Sequence, residues 1–294
     1  MCSPQTRQHR QHQQPYQTPN QTHPLGLSSY AVRYAAAAGL DAAGFVAAVA
    51  EMGFQRALLC ENIKLGDPAA VRRTAEDCGI QVELGIKGLS APVLFAALDL
   101  CPKLGSDYLR VVVDVPAPGV SHPQWIEQTR ELIRSALPRL HRDGIHLGIE
   151  NHFDLTTKEL VELVEAIADP AVGLIYDSTN HLGFIEKPEE TLDYMLPYLS
   201  GVHLKDYIVF RVPGGHRIQG ITLGDGLLDV DRIVRKIDEA HPTIPITLEL
   251  SLLKPEVEQE TPALLLAAEA EPIKISLERL LATLGRAGRC CPET

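Results

Sequence analysis

Short apolar runs alternate with helix-forming stretches eight times between Pro24 and Leu284, and this alternation constrains the fold more than any other feature. The clearest run, residues 108–114, is nearly continuous and rich in valine, as expected of a strand that is covered on both faces. Helix ends are marked as well, since Asp67 and Pro68 form a cap with a first-turn proline and Gly79 follows as a stop. Strand–helix repeats without a break in composition predict the α/β class and a single (β/α)8 barrel.

An open, doubly wound sheet is the alternative architecture for the same alternation. Such a sheet often carries a glycine-rich phosphate-binding turn after its first strand. Neither GxGxxG nor GxxxxGK[ST] occurs at that point. The barrel is therefore the preferred prediction, and the 294 residues fit a barrel, which needs about 250.

The barrel is expected to occupy residues 24–285, between two loose ends. Residues 1–23 are rich in Gln, His, Pro and Thr and hold almost nothing apolar, which predicts a disordered N-terminal arm. Residues 286–294 are predicted to form a flexible C-terminal tail. Within the barrel, a long connection from Asp206 to about Leu227 is predicted to be a functional loop. The closing helix is expected from about Pro272 to Leu284.

The composition of the chain limits its expected compartment and its expected binding partners. A formal net charge of −11 argues against binding to nucleic acid or to an anionic membrane, because both need a basic face. No apolar run approaches the roughly 18 residues that span a bilayer, and the first residues lack the apolar stretch of a signal peptide. The six cysteines show no metal-binding spacing and are interpreted as reduced thiols of a cytoplasmic protein.

Four stretches in the second half each place an acid or a histidine where an apolar run stops. The side chains are Glu150, Asp177, His203 and Glu249. Because the carboxyl ends of all strands of such a barrel meet at one face, these four side chains are expected to converge. A mixed set of carboxylate and imidazole ligands suits Mn²⁺, Mg²⁺ or Co²⁺. Alternation along the strand places Lys205 on the same side as His203, whereas Asp206 points away and is expected to pair with a basic group.

The stretches IENH, IYDSTN, HLKD and LEL, in this order and spacing, resemble the xylose isomerase-like TIM-barrel superfamily over about residues 24–285. The branch that they resemble most contains sugar phosphate isomerases/epimerases and ketose 3-epimerases. The resemblance implies one divalent metal, Mn²⁺ first and Mg²⁺ or Co²⁺ otherwise, held by the four side chains. It also implies that Glu150 and Glu249 exchange protons with a small sugar or sugar derivative. We therefore predict a metal-dependent isomerase or epimerase that acts through an enediolate. Barrels of this kind often form homodimers.

Two positions depart from the ketose 3-epimerase pattern. Asn180 stands where those enzymes commonly have a histidine, and Val209 stands where they have an arginine. Arg211 or Arg217, from the predicted loop, is expected to take the place of that arginine. The expected substrate-binding residues are His152, Asn180, Lys205, Arg211 and His216.

Other functions remain open for the same motifs. A metal-dependent lyase of the superfamily, similar to 3-dehydroshikimate dehydratase or to C-glycoside-cleaving enzymes, uses the same proton chemistry. A barrel that binds a sugar without catalysis is a further alternative. An apurinic-site endonuclease is disfavoured, because the second and third strands offer no histidine ligands and the chain is acidic.

Overall fold

The structure is a computed structural model that describes residues 23–116 and 118–287. Ten strands are found in this part of the chain. They are β1 (Leu25–Ser28), β2 (Arg56–Leu59), β3 (Gln81–Lys87), β4 (Tyr108–Val112), β5 (His146–Glu150), β6 (Val172–Asp177), β7 (Leu199–Leu204), β8 (Asp206–Val212), β9 (Gly215–Ile221) and β10 (Ile246–Leu248). Eight of them pair in parallel and close into a barrel in the order β1-β10-β7-β6-β5-β4-β3-β2. This confirms the predicted (β/α)8 barrel.

Helices follow the barrel strands and cover the outside of the sheet. They are α1 (Arg33–Ala37), α2 (Ala42–Glu51), α3 (Pro68–Cys78), α4 (Ala91–Leu104), α5 (His122–Asp143), α6 (Thr157–Ile167), α7 (Pro188–Met195), α8 (Val230–Ala240) and α9 (Pro262–Ala287), with short 3-10 turns at Ser29–Val32, Asn180–Phe184 and Leu196–Tyr198. The predicted ends of α3 are confirmed, since the Asp67 carboxylate accepts from the Ala69 amide at 3.0 Å and Gly79 adopts φ 68°. None of the helices within the described ranges is long and apolar enough to cross a membrane.

The predicted loop after β7 is instead a β-hairpin. Strands β8 and β9 pair antiparallel, from Asp206 opposite Ile221 to Val212 opposite Gly215. The prediction of a loop was therefore wrong for the backbone of residues 206–221, which forms two paired strands. The physical reason is that β8 is rich in β-branched and aromatic residues and is followed by a Pro213-Gly214 turn in which Gly214 adopts φ 83°.

The two ends of the barrel also differ from the expectation. Helix α9 begins at Pro262, ten residues before the predicted start, because Pro262 occupies its first turn and Pro272 is accommodated inside it. At the other end, His23, assigned to the disordered arm, is buried and lies 2.7 Å from the Ile244 carbonyl. The remainder of the predicted arm, and the predicted tail after residue 287, lie outside the described residues.

Candidate metal centre and active-site cleft

The structure brings the four predicted ligands together at the carboxyl-terminal mouth of the barrel. Glu150 and Asp177 are the last residues of β5 and β6, His203 lies near the end of β7, and Glu249 directly follows β10. One ligand atom from each residue lies within 4.8 Å of the others, and all four side chains are buried. The strand ends therefore place three carboxylates and one imidazole around a common point.

The buried polar atoms of this cluster fit a divalent ion. Asp177 Oδ2, His203 Nδ1 and Glu249 Oε2 are buried and make no well-aligned hydrogen bond among the described residues. Their nearest charged neighbours are Lys205 Nζ, 2.8 Å from Asp177 Oδ2, and the two oxygens Glu150 Oε2 and Glu249 Oε2, 3.0 and 3.5 Å from His203 Nδ1. Charge alone does not demand an ion, because Arg110, Lys205 and a protonated His203 would balance the three carboxylates. Buried ligand atoms that make only poorly aligned contacts are costly, and a cation would satisfy them. Oxygen and nitrogen donors in this number suit a hard or borderline divalent metal.

Glu150 is held tightly by two donors. Its Oε2 atom accepts from Arg110 Nε at 2.5 Å, and its Oε1 atom accepts from Asn180 Nδ2 at 2.9 Å. Burial alone would raise the pKa of Glu150, but the charges of Arg110 and His203 hold that pKa well below its usual range. Glu150 is therefore a firmly ionised carboxylate whose two oxygens are both engaged.

Lys205 joins two of the carboxylates. Its Nζ atom lies 2.8 Å from Asp177 Oδ2 and 2.7 Å from Glu249 Oε1. Burial favours the neutral amine, yet the charges of Asp177 and Glu249 raise the pKa of Lys205 above its usual value. Lys205 also lines the cleft, so a protonated donor faces the space in which a small molecule would bind.

A cleft of about 440 Å³ opens above the cluster, within the usual size range for a small-molecule site. Hairpin residues Tyr207, Ile218 and Gly220 form part of its wall. Of the predicted substrate-binding residues, the cleft is lined by His152, Asn180 and Lys205. Arg211 and His216 are opposite each other near the exposed hairpin tip and are not among the lining residues. The structure therefore does not bring these two residues to the cleft.

Asp206 has a different partner from the one that the sequence suggested. Instead of a basic group, its buried carboxylate meets four backbone amides. These belong to Tyr207, Gly224, Gly226 and Leu228, at 2.8, 2.9, 2.9 and 3.2 Å. The expectation of an ion pair was wrong, because the chain folds back on Asp206 and supplies amide donors. Asp206 therefore fixes the base of the hairpin beside the cleft.

Sequence reasoning missed other cleft residues, among them Tyr30, Glu61 and Arg110. Arg110 had a visible signal, since it interrupts an otherwise apolar strand and a buried charge needs a partner. Tyr30 and Glu61 had none, because a tyrosine and a glutamate after short strands are ordinary surface residues.

The fold and the site together define a (β/α)8 barrel with a buried centre suited to a divalent metal. The sequence model of the xylose isomerase-like TIM barrel family matches residues 94–271. This chain belongs to that family.

Similar proteins include both lyases and epimerases. A 3-oxo-isoapionate decarboxylase of Pectobacterium atrosepticum is 29% identical over 224 residues, which cover 72% of this chain and 80% of the relative. Among solved structures, a D-psicose 3-epimerase in the presence of D-fructose has a TM-score of 0.67 and 17% identity, covering 89% of this chain and 99% of that one. A barrel protein of Mycobacterium smegmatis in complex with magnesium has a TM-score of 0.64 and 18% identity, covering 91% of this chain and 100% of the other. The structural similarities show the shared fold.

Proposed function

We propose that this chain is a divalent-metal-dependent lyase that removes CO₂ from a polyhydroxylated 3-oxo acid. The contacts of Glu150 are the main reason to prefer a lyase to an isomerase or epimerase. Those reactions need a base that takes a proton from carbon and a second group that returns it. Both oxygens of Glu150 already accept hydrogen bonds, and its pKa is held low, so it is a poor base. Loss of CO₂ needs no such base.

The charge of the cleft supports an acidic substrate. Three carboxylates of the centre face Arg110, Lys205 and, when bound, a divalent ion, which leaves one surplus positive charge. Arg33 and Lys87 also line the cleft together with the acids Glu61 and Asp206, so the surplus positive charge remains one. A 3-oxo acid brings a carboxylate that this positive field attracts. The name of the 29% identical relative, a 3-oxo-isoapionate decarboxylase, agrees with that substrate class.

In the proposed reaction the bond between the substrate carboxylate and its neighbouring carbon breaks. The carboxylate leaves as CO₂, and the bonding electron pair passes into an enolate of the 3-oxo group. A divalent ion at the centre, Mn²⁺ first and Mg²⁺ or Co²⁺ otherwise, would supply Lewis acidity to that oxygen. Lys205 then donates a proton from Nζ to the carbon and recovers one from solvent. Asp177 and Glu249 keep Lys205 protonated, and its position at the cleft places the ammonium group where a substrate would bind.

A metal-dependent sugar isomerase or epimerase is the second candidate. Glu249 favours it, because Glu249 Oε2 has no hydrogen-bond partner in the described structure and is available to accept a proton from carbon. The fold of the D-psicose 3-epimerase structure is compatible with this function. The two candidates differ in whether carbon is lost from the substrate.

The test begins with metal analysis of protein purified without chelators. The Mn²⁺-loaded protein is then assayed by NMR in D₂O against two panels, hydroxylated 3-oxo acids and neutral ketoses. We expect CO₂ release from an acid, with one deuterium in the product. We also expect Lys205→Met to lower kcat by about 10²- to 10⁴-fold, as for loss of a general acid, with metal content retained. Proton exchange on ketoses without CO₂ release from any acid would replace the lyase with the isomerase or epimerase.

A further inference from the structure

Arg110 carries a second donor that Glu150 does not use. Arg110 Nε is bound to Glu150, but Arg110 Nη1 is buried and has no hydrogen-bond partner among the described residues. The arginine side chain is only 3% exposed and lines the cleft. A buried guanidinium nitrogen without a partner is costly, and a bound ligand would remove that cost.

An acceptor faces this donor across a gap. Glu61 Oε2 lies 4.0 Å from Arg110 Nη1, which is too far for a direct hydrogen bond. An oxygen at about 2.8 Å from both atoms would make the two contacts at roughly a right angle. A hydroxyl group on the cleft side of this pair, rather than between the two atoms, could therefore donate to Glu61 and accept from Arg110.

Tyr30 holds Glu61 in place for this contact. The Tyr30 hydroxyl donates to Glu61 Oε1 at 2.7 Å, which leaves Oε2 directed at the gap. Burial, and then the hydrogen bond to Glu61, raise the pKa of Tyr30, so its hydroxyl stays protonated and keeps donating.

The chain beneath Tyr30 and Glu61 is also fixed. The Ser29 hydroxyl donates to Asn62 Oδ1 at 2.6 Å, and Asn62 Nδ2 donates back to the Ser29 carbonyl at 2.9 Å. Each partner is the chain neighbour of Tyr30 or Glu61. The reciprocal pair therefore locks the ends of β1 and β2 together, and the acceptor and donor are arranged before any ligand arrives.

We propose that Glu61 and Arg110, supported by Tyr30, form a subsite that binds one hydroxyl group of the substrate. A hydroxyl fits better here than a carboxylate, because Glu61 and Glu150 already place two negative charges beside Arg110. The subsite deepens the proposed function, because it would select polyhydroxylated substrates among 3-oxo acids. It rests on the proposed function only in assuming that the ligand carries hydroxyl groups.

The test measures binding rather than turnover. Xylitol, which has a hydroxyl on every carbon, and 1,5-pentanediol, which lacks the three inner hydroxyls, are titrated into Mn²⁺-loaded protein and followed by NMR. The wild type should bind xylitol more tightly. Glu61→Gln should weaken xylitol binding by about ten- to a hundredfold, as expected for a hydrogen bond to a charged group, and should weaken 1,5-pentanediol binding by less, because that ligand offers only its two terminal hydroxyls. Tyr30→Phe should produce a smaller loss of the same kind.

Glu76→Gln is the matched control, because Glu76 is an exposed acid of the following helix that pairs with Arg72. It should leave both titrations unchanged. Metal content and Tm of Glu61→Gln should equal those of the wild type, which separates binding from a purely structural role. Three results would overturn the subsite. Glu61→Gln could weaken the binding of both ligands equally, it could leave xylitol binding unchanged, or the wild type could bind the two ligands with equal affinity. Absence of CO₂ release with the xylitol preference intact would overturn the lyase alone.

Discussion

Replacing Asp206 by asparagine should destabilise the protein by about 3 kcal/mol. The Asp206 carboxylate is 1% exposed and accepts from four backbone amides, two at each oxygen. Gly224 and Gly226 donate to Oδ2, while Tyr207 and Leu228 donate to Oδ1. An asparagine amide keeps one accepting oxygen and places an NH₂ group against the other two donors.

The magnitude follows from those two lost contacts. A hydrogen bond to a charged group contributes about 1.5–3 kcal/mol, so two of them amount to about 3–6 kcal/mol. Gly224 is exposed and Gly226 is half-buried, so water recovers part of that free energy. The lower end of the range, about 3 kcal/mol, is therefore the expected loss in the free energy of unfolding.

Urea unfolding of the wild type and of Asp206→Asn measures this loss, and hydrogen exchange locates it in residues 206–228. Asp225→Asn is the control, since Asp225 lies in the same loop but pairs with Arg279 at the surface, where both side chains are more than 40% exposed. That exposed pair should contribute less than about 1 kcal/mol. A loss below about 1 kcal/mol for Asp206→Asn, or equal losses for both variants, would refute the anchoring role of Asp206.

Two further predictions concern the lower half of the barrel. Burial lowers the pKa of His146 below that of an unfolded histidine, about 6.5, so stability should fall as pH drops below that value, by up to about 1.4 kcal/mol per pH unit. Urea unfolding at pH 7.5 and 5.5 should show a shallower decline for His146→Gln, and equal declines would contradict this reasoning. Gly148→Ala should cost about 1–3 kcal/mol, because the new Cβ would overlap the Tyr108 hydroxyl. The cost should shrink in a Tyr108→Phe background, and purely additive unfolding free energies would show that the hydroxyl is not the obstacle.

The barrel was predictable from the sequence because its signals are local. Each strand is a short apolar run, and helix ends such as Asp67 and Gly79 carry their own capping chemistry. The start of α9 is harder to predict, because a proline inside a helix cannot be told by sequence from a proline in its first turn. The sequence therefore places the first turn at Pro272, whereas the helix begins at Pro262. What decides between Pro262 and Pro272 is packing against the rest of the barrel, which no local pattern contains.

The candidate site was predictable only in part. The four ligands stand at strand ends, and the symmetry of a barrel brings strand ends together. The contacts of Glu150 with Arg110 and Asn180 depend on side-chain reach across neighbouring strands, so they required the structure. The same holds for the gap between Glu61 and Arg110, which is defined by a distance between two strands rather than by a motif.

Residues 203–206, at the end of β7 and directly after it, have different functions. Side chains alternate along a strand, so His203 and Lys205 reach the carboxylates of the candidate centre, Leu204 packs in the hydrophobic core, and the Asp206 carboxylate meets backbone amides. Asp206 holds the base of the hairpin, and the hairpin in turn lines the cleft into which Lys205 points. Because a shift of one residue exchanges the two faces, inserting a residue directly after His203 would turn Lys205 and Asp206 to the wrong faces relative to the imidazole. The ligand, the proposed proton donor and the cleft wall are therefore tied to one another through the register of a single strand.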